Sequence, residues 1–108
     1  MVIRLRYYAT ARGDYPVAEY VESLSVPERA VMAALFHEIS ERGLQARGVG
    51  FRQIEGKLWE IRAGAHRVFY VLVQQDEMVL LHAYRKQSQK TPSHHIELAR
   101  RRMKEILG

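Results

Sequence analysis

The stretch from Leu58 to Lys86 constrains this chain most. Three strand-like runs, Leu58–Ala63, His66–Val73 and Glu77–Lys86, are separated only by Gly64-Ala65 and Gln74-Gln75-Asp76. Strands joined by two or three residues must return antiparallel, because a parallel neighbour needs a crossover of about a dozen residues or more. The chain is therefore committed to an antiparallel meander, and the remaining segments must cover it.

Those segments have patterns of their own. Val2 to Tyr8 alternates, with Ile3, Leu5 and Tyr7 on one side and Arg4, Arg6 and Tyr8 on the other, the period of a half-buried strand. Asp14 reads as an N-cap before a short helix carried by Val17, Val21 and Leu24. Ser25-Val26-Pro27-Glu28 reads as a capping box; Val31, Leu35 and Ile39 form the apolar stripe of a second helix, and Gly43 is its stop. Gly48 to Gly56 reads as a loop with a short extended piece around Phe51 to Ile54. Thr91-Pro92 or Ser93 caps a last helix in which Ile96, Ala99, Met103 and Ile106-Leu107 face inward, leaving Arg100, Arg101 and Lys104 in water. The predicted order is strand, helix, helix, three strands, helix: an α+β fold with helices packed on one face of the sheet.

A chain of 108 residues with 47% apolar content fills one modest core, so residues 1–108 are expected to form a single domain. The absence of cysteine removes disulfides and thiolate metal sites and suits a reducing compartment. No apolar run approaches the roughly 18–20 residues that cross a bilayer, and Met1-Val2-Ile3-Arg4 opens into alternating sequence rather than a signal peptide, so a cytoplasmic protein is expected. The net charge is +5, unevenly distributed: residues 1–49 carry six Lys/Arg and six Asp/Glu, residues 50–108 eleven against six. A one-sided basic excess suits an anionic partner such as RNA or DNA, although a solvated basic surface gives the same count.

In the first meander strand Leu58, Glu60 and Arg62 share one side and Trp59 and Ile61 the other, the expected core side, so Arg62 points outward. In the third, Leu80, His82, Tyr84 and Lys86 alternate with Val79, Leu81, Ala83 and Arg85, and periodicity leaves open which set faces the helices. Lys57, Arg62, Arg67, Arg85 or Lys86, and Lys90 gather near strand ends and the turn after the last strand. His82 reads as a packed strand histidine. His94 and Glu97 lie one helical turn apart, but with no third ligand no metal site is expected, nor any cofactor.

Taken together, Lys57-Leu58-Trp59-Glu60-Ile61-Arg62, Arg67-Val68-Phe69-Tyr70 and Leu80-Leu81-His82-Ala83-Tyr84-Arg85-Lys86-Gln87-Ser88-Gln89-Lys90-Thr91-Pro92 resemble the phage-derived, HigB-like branch of the RelE/ParE toxin superfamily. The resemblance implies the RelE-like fold, an antitoxin partner with a helix-turn-helix domain, and cleavage of mRNA on the translating ribosome. It also implies that Arg62 and Arg67 bind phosphate. Metal-independent RNA cleavage uses the ribose 2′-hydroxyl as nucleophile and needs a base, an acid and cations for the growing negative charge. The forked guanidinium groups suit that charge. Lys57, Lys86 and Lys90 are candidate proton shuttles, because like-charged neighbours lower a lysine's pKa. Tyr84 is a candidate to stack on a splayed base or orient the 2′-hydroxyl, and Arg85 to contact the RNA. Base and acid stay unassigned. The competing expectations are a non-catalytic gyrase inhibitor, as in the ParE branch, and an RNA-binding protein without turnover. The first helix pair, with Glu19, Glu22, Glu38 and Glu41, offers an antitoxin a second surface.

Overall fold

The computed structural model describes residues 2–108. The elements run β1 (Arg4–Tyr7), α1 (Pro16–Glu22), α2 (Val26–Arg42), a 3₁₀ turn (Gly43–Gln45), β2 (Gly50–Glu55), β3 (Leu58–Ala63), β4 (His66–Val73), β5 (Glu77–Arg85) and α3 (Ser93–Leu107). The sheet order is β1-β5-β4-β3-β2; β1 lies parallel to β5 and every other pair is antiparallel. The predicted meander is there, with one more strand than expected. The segment read as a loop forms β2, and its register slips at Ile54: Gln53 pairs with Trp59 and Glu55 with Leu58. That bulge breaks the period of two by which strands are read.

The helices do not share one face. Val17 of α1 and Met32 and Ile39 of α2 pack with Ile61, Val68, Tyr70, Met78 and Leu80. On the opposite face Ala99 of α3, flanked by Ile96, Met103 and Ile106, packs with Leu58, Phe69, Val71, Val79 and Leu81. The reason is β4, which is apolar on both sides: a strand buried on both faces reads as a continuous apolar run and needs cover above and below.

Smaller expectations also shift. Along α2 the buried line runs through Met32, Leu35 and Ile39, and Val31 is 58% exposed. Leu107 is 40% exposed rather than inward. Tyr15, not Asp14, is the N-cap of α1, and Asp14 instead closes a local turn, its N–H donating to Thr10 Oγ1 at 3.1 Å. Pro92 precedes α3 without a side-chain cap. Ser25 does cap α2, its Oγ accepting from the Glu28 N–H at 3.3 Å.

A second bulge changes the reading of β5. Phe69 pairs with His82 and Tyr70 with Leu80, so Leu81 is an extra residue without a partner on β4. Leu80 therefore faces α1 and α2 with Met78 and Ala83, whereas Leu81 and Tyr84 face α3. Strict alternation, which grouped Leu80 with His82 and Tyr84, fails at this point. The bulge is held by Arg102 of α3, whose Nη1 donates to the Leu81 carbonyl at 2.9 Å while its guanidinium lies 5.1 Å from the Tyr8 ring centroid.

Candidate active site

The registers of β2 to β5 lay two rows across the α3 side of the sheet. Gly50, Arg62, Arg67 and Tyr84 are successive cross-strand partners, and two residues along each strand so are Arg52, Glu60, Phe69 and His82. Residues two apart on a strand share a face, so these two rows form one surface. Its first row carries two arginines and a tyrosine.

Arg62 is exposed, whereas Arg67 is only 7% exposed. Arg67 is aimed by its neighbours: Nη1 donates to the carbonyls of Gly64 at 2.8 Å and His66 at 2.9 Å, and Nε lies 4.0 Å from Glu60 Oε1. Both bonds use one terminal nitrogen, so the second is the one a ligand would meet. Glu60 is 1% exposed, and its Oε2 is buried without a hydrogen-bond partner. Burial pushes its carboxyl above the usual range, against the pull of Arg67, Arg52, Arg62 and Lys86. One anion thus sits beneath four cations. A buried carboxylate without full pairing is costly, and such groups gather at functional sites.

Beyond this surface the chain turns from β5 into α3 and leaves an open cleft of about 320 Å³ lined by Tyr84, Lys86, Lys90 and His95. A neighbouring cleft of about 400 Å³ lies against Arg52, Ile54, Lys90 and Ile96. Lys90 borders both. The aromatic rings form a cluster: Phe69, His82 and Tyr84 lie 5.9–6.4 Å from one another with nearly parallel planes, and His95 of α3 stacks on Tyr84 at 4.0 Å with 13° between planes. His82 Nε2 and His95 Nδ1 share a hydrogen bond of 2.8 Å. Burial, reinforced by His95, Arg102 and His94, lowers the His82 pKa to about 4, and burial beside His94 lowers that of His95.

The predicted residues therefore divide. Arg62, Arg67, Tyr84, Lys86 and Lys90 meet at one end of the sheet. Lys57 stands apart, in the turn before β3 and five residues from Arg62, a separation of roughly 16 Å along a strand. Arg85 turns to the opposite face, where its Nη2 donates to Glu28 Oε2 at 2.7 Å. Tyr84 is 7% exposed and its ring is stacked on His95, so a base would have to displace that imidazole to stack there. Glu60, Arg52 and His95 are the additions. Arg52 could have been found from the β2–β3 pairing, whereas His95 reaches the site only through the docking of α3. Among the described residues no group of three His, Asp or Glu side chains comes together as a metal site.

The family model described as phage-derived protein Gp49-like matches residues 19–104. No curated protein matches the sequence significantly. Among solved structures, a chain of the crystal structure of the archaeal RelE–RelB complex from Pyrococcus horikoshii OT3 superposes with a TM-score of 0.61 at 16% identity, over 83% of this chain and 100% of that one. No helix among the described residues is long and apolar enough to cross a membrane. The superposition shows a shared fold, and the family match over most of the length places the chain: it belongs to the phage-derived Gp49-like family.

Proposed function

We propose that this protein is the toxin of a type II toxin–antitoxin pair, an endoribonuclease of the HigB type that cuts mRNA on the translating ribosome. The observation that carries the reading is the row Arg62–Arg67–Tyr84, continued by Lys86 and Lys90 along a cleft open to a polymer. RNA cleavage by the 2′-hydroxyl builds a dianionic phosphorane, and preorganised cations facing it supply most of what a small catalyst can offer. Arg62 and Arg67 hold the phosphate, with Arg67 fixed in advance by its carbonyl bonds. Lys86 and Lys90 neutralise the backbone and supply protons, and the Tyr84 hydroxyl orients the nucleophile. Lys57 meets the strand away from the reacting phosphate. The ribosome presents the mRNA in a bent geometry, so the protein need carry little else.

An antitoxin with a helix-turn-helix domain restrains it in this reading. RelE in the archaeal complex is held by RelB, and a basic cleft offers a partner segment the same kind of seat.

Expression in growing bacteria tests the reading, with mRNA ends mapped on ribosomes. Translation stops and cuts fall within codons; Arg62→Ala lowers cleavage about 10²–10³-fold without loss of fold, since the side chain is exposed. Broken DNA with intact mRNA would mean a gyrase inhibitor of the ParE kind. Salt-sensitive RNA binding with no cut product would mean a binding protein without turnover.

A further inference from the structure

We infer that His95 is the general base of this cleft and that His82 is the residue that positions it. The inference rests on the ribonuclease reading and assigns the proton relay which that reading leaves open. Three observations place His95 there. It lines the same cleft as Lys86 and Lys90. Its Nδ1 is engaged at 2.8 Å by His82 Nε2. Its ring lies against Tyr84, at 4.0 Å, and next to His94, at 4.1 Å.

An imidazole whose Nδ1 is occupied by a neighbour presents Nε2 on the far side of the ring, and His95 lines the cleft. With Nδ1–H donating to His82 Nε2, the His95 Nε2 lone pair is free to take a proton. His82 is suited to be the fixed acceptor: its ring lies beside those of Phe69 and Tyr84, and burial with His94, His95 and Arg102 around it keeps it neutral down to about pH 4. His95 is likewise kept neutral below the ordinary histidine value, as a base at neutral pH must be. The groups facing the pair are His94 and Arg102 from α3, Tyr84 from β5, Phe69 from β4, and Lys86 and Lys90 from the turn. No carboxylate is among them.

The step balances without a further reagent. His95 Nε2 takes the proton of the 2′-hydroxyl, and the 2′-oxygen bonds to the adjacent phosphorus. The phosphorus–5′-oxygen bond breaks, and that oxygen leaves with a proton from the ammonium of Lys86 or Lys90. The products are a 2′,3′-cyclic phosphate and a 5′-hydroxyl, and the proton on His95 returns to the lysine through water. The imidazolium formed in passing lies against the Tyr84 ring, a favourable seat for a cation.

Single-turnover cleavage of ribosome-bound mRNA by the purified full chain, across pH, tests this. His95→Ala and His95→Gln both lower the rate about 10²–10⁴-fold with ribosome binding unchanged. The acid limb of the wild-type profile, which falls below pH 6.5, disappears in both variants, and added imidazole restores cleavage by His95→Ala. His82→Phe lowers the rate roughly tenfold at unchanged KM, and His82→Gln, whose amide oxygen again accepts, recovers most of it. His95→Gln keeps the volume and a polar contact, so it answers the question if the alanine variant misfolds. A wild type that cuts mRNA while both His95 variants cut within threefold of it overturns this assignment alone. A wild type that cuts no ribosome-bound mRNA overturns the ribonuclease reading, and this assignment with it.

Discussion

The two faces of the sheet use the same kinds of residue in opposite ways. On the α1–α2 face, His66 bonds Tyr20 through Nδ1 at 2.6 Å and Glu28 through Nε2 at 3.0 Å, and Arg85 adds a third contact to Glu28 at 2.7 Å. That network joins α1, α2, β4 and β5, and each charge in it has an opposite partner. On the α3 face the histidines bond each other, Glu60 keeps a bare oxygen, and four cations converge on it. A closed polar network fixes a scaffold. An under-satisfied one leaves bonding capacity for a ligand, at a cost in stability that the rest of the fold must offset.

If that contrast is right, changes on the first face should cost stability, and changes on the second should cost activity or even add stability. The largest effect is expected at Ile39, fully buried between α2 and the sheet. Ile39→Ala should lower unfolding free energy by about 2–5 kcal/mol in urea titration, with cleavage per folded molecule unchanged. A loss of cleavage in the molecules that remain folded would mean that the hairpin face belongs to the site.

Next comes acid. The folded-state pKa of His82 lies near 4, below the ordinary histidine value, so the unfolded chain binds its proton first. The contribution of His82 to stability is therefore whole above about pH 6.5 and is lost as pH falls from there towards 4. Urea midpoints measured from pH 7.5 to 4.5 should drop, and His82→Phe should flatten the curve. A curve equally steep in that variant would place the acid sensitivity elsewhere.

Glu60 gives a smaller effect of opposite sign. Its carboxyl is raised, so the fold favours the protonated form; its contribution is present below the ordinary carboxylate range and lost as pH rises through the raised value. At neutral pH Glu60→Gln should therefore raise Tm by a few degrees and tighten RNA binding, since the anion beneath the cations is gone. A lower Tm would show that its attraction for Arg67 outweighs the burial of the charge.

How much of this could be read from the sequence depended on whether a feature was local. The meander was visible because Gly64-Ala65 and Gln74-Gln75-Asp76 punctuate it, and the basic end was visible because Arg62 and Arg67 flank the first of those turns. Beta2 was hidden by the slip at Ile54, and the true neighbours of His82 by the extra Leu81, since a bulge leaves no mark in a pattern of apolar and polar residues. The second covered face is written in Val68 to Val73, apolar without alternation, although the element order alone suggests helices on one face. Glu60 looks like any surface acid until the strands are paired. The His82–His95 contact links residues thirteen apart across a turn and depends on where α3 lands.

The smallest effect separates the two ends of the meander. At the basic end the β3–β4 turn uses Gly64, whose φ of 59° costs glycine nothing; at the far end the β4–β5 turn puts Gln74 and Gln75 at φ of 58° and 76°. Positive φ at both central positions is the tight hairpin geometry that favours Asn-Gly, and a side chain held there costs of order 1 kcal/mol. Part of that is recovered by Gln75→Gly and part lost again to the greater freedom of glycine when unfolded. The expected gain is about 0.5 kcal/mol in urea titration, with mRNA cleavage untouched because the turn lies at the opposite end of β4 from Arg67. A change in cleavage on altering Gln75 would mean that the two ends of the meander are coupled, and the division between scaffold and site would have to be redrawn along the strands rather than between the faces.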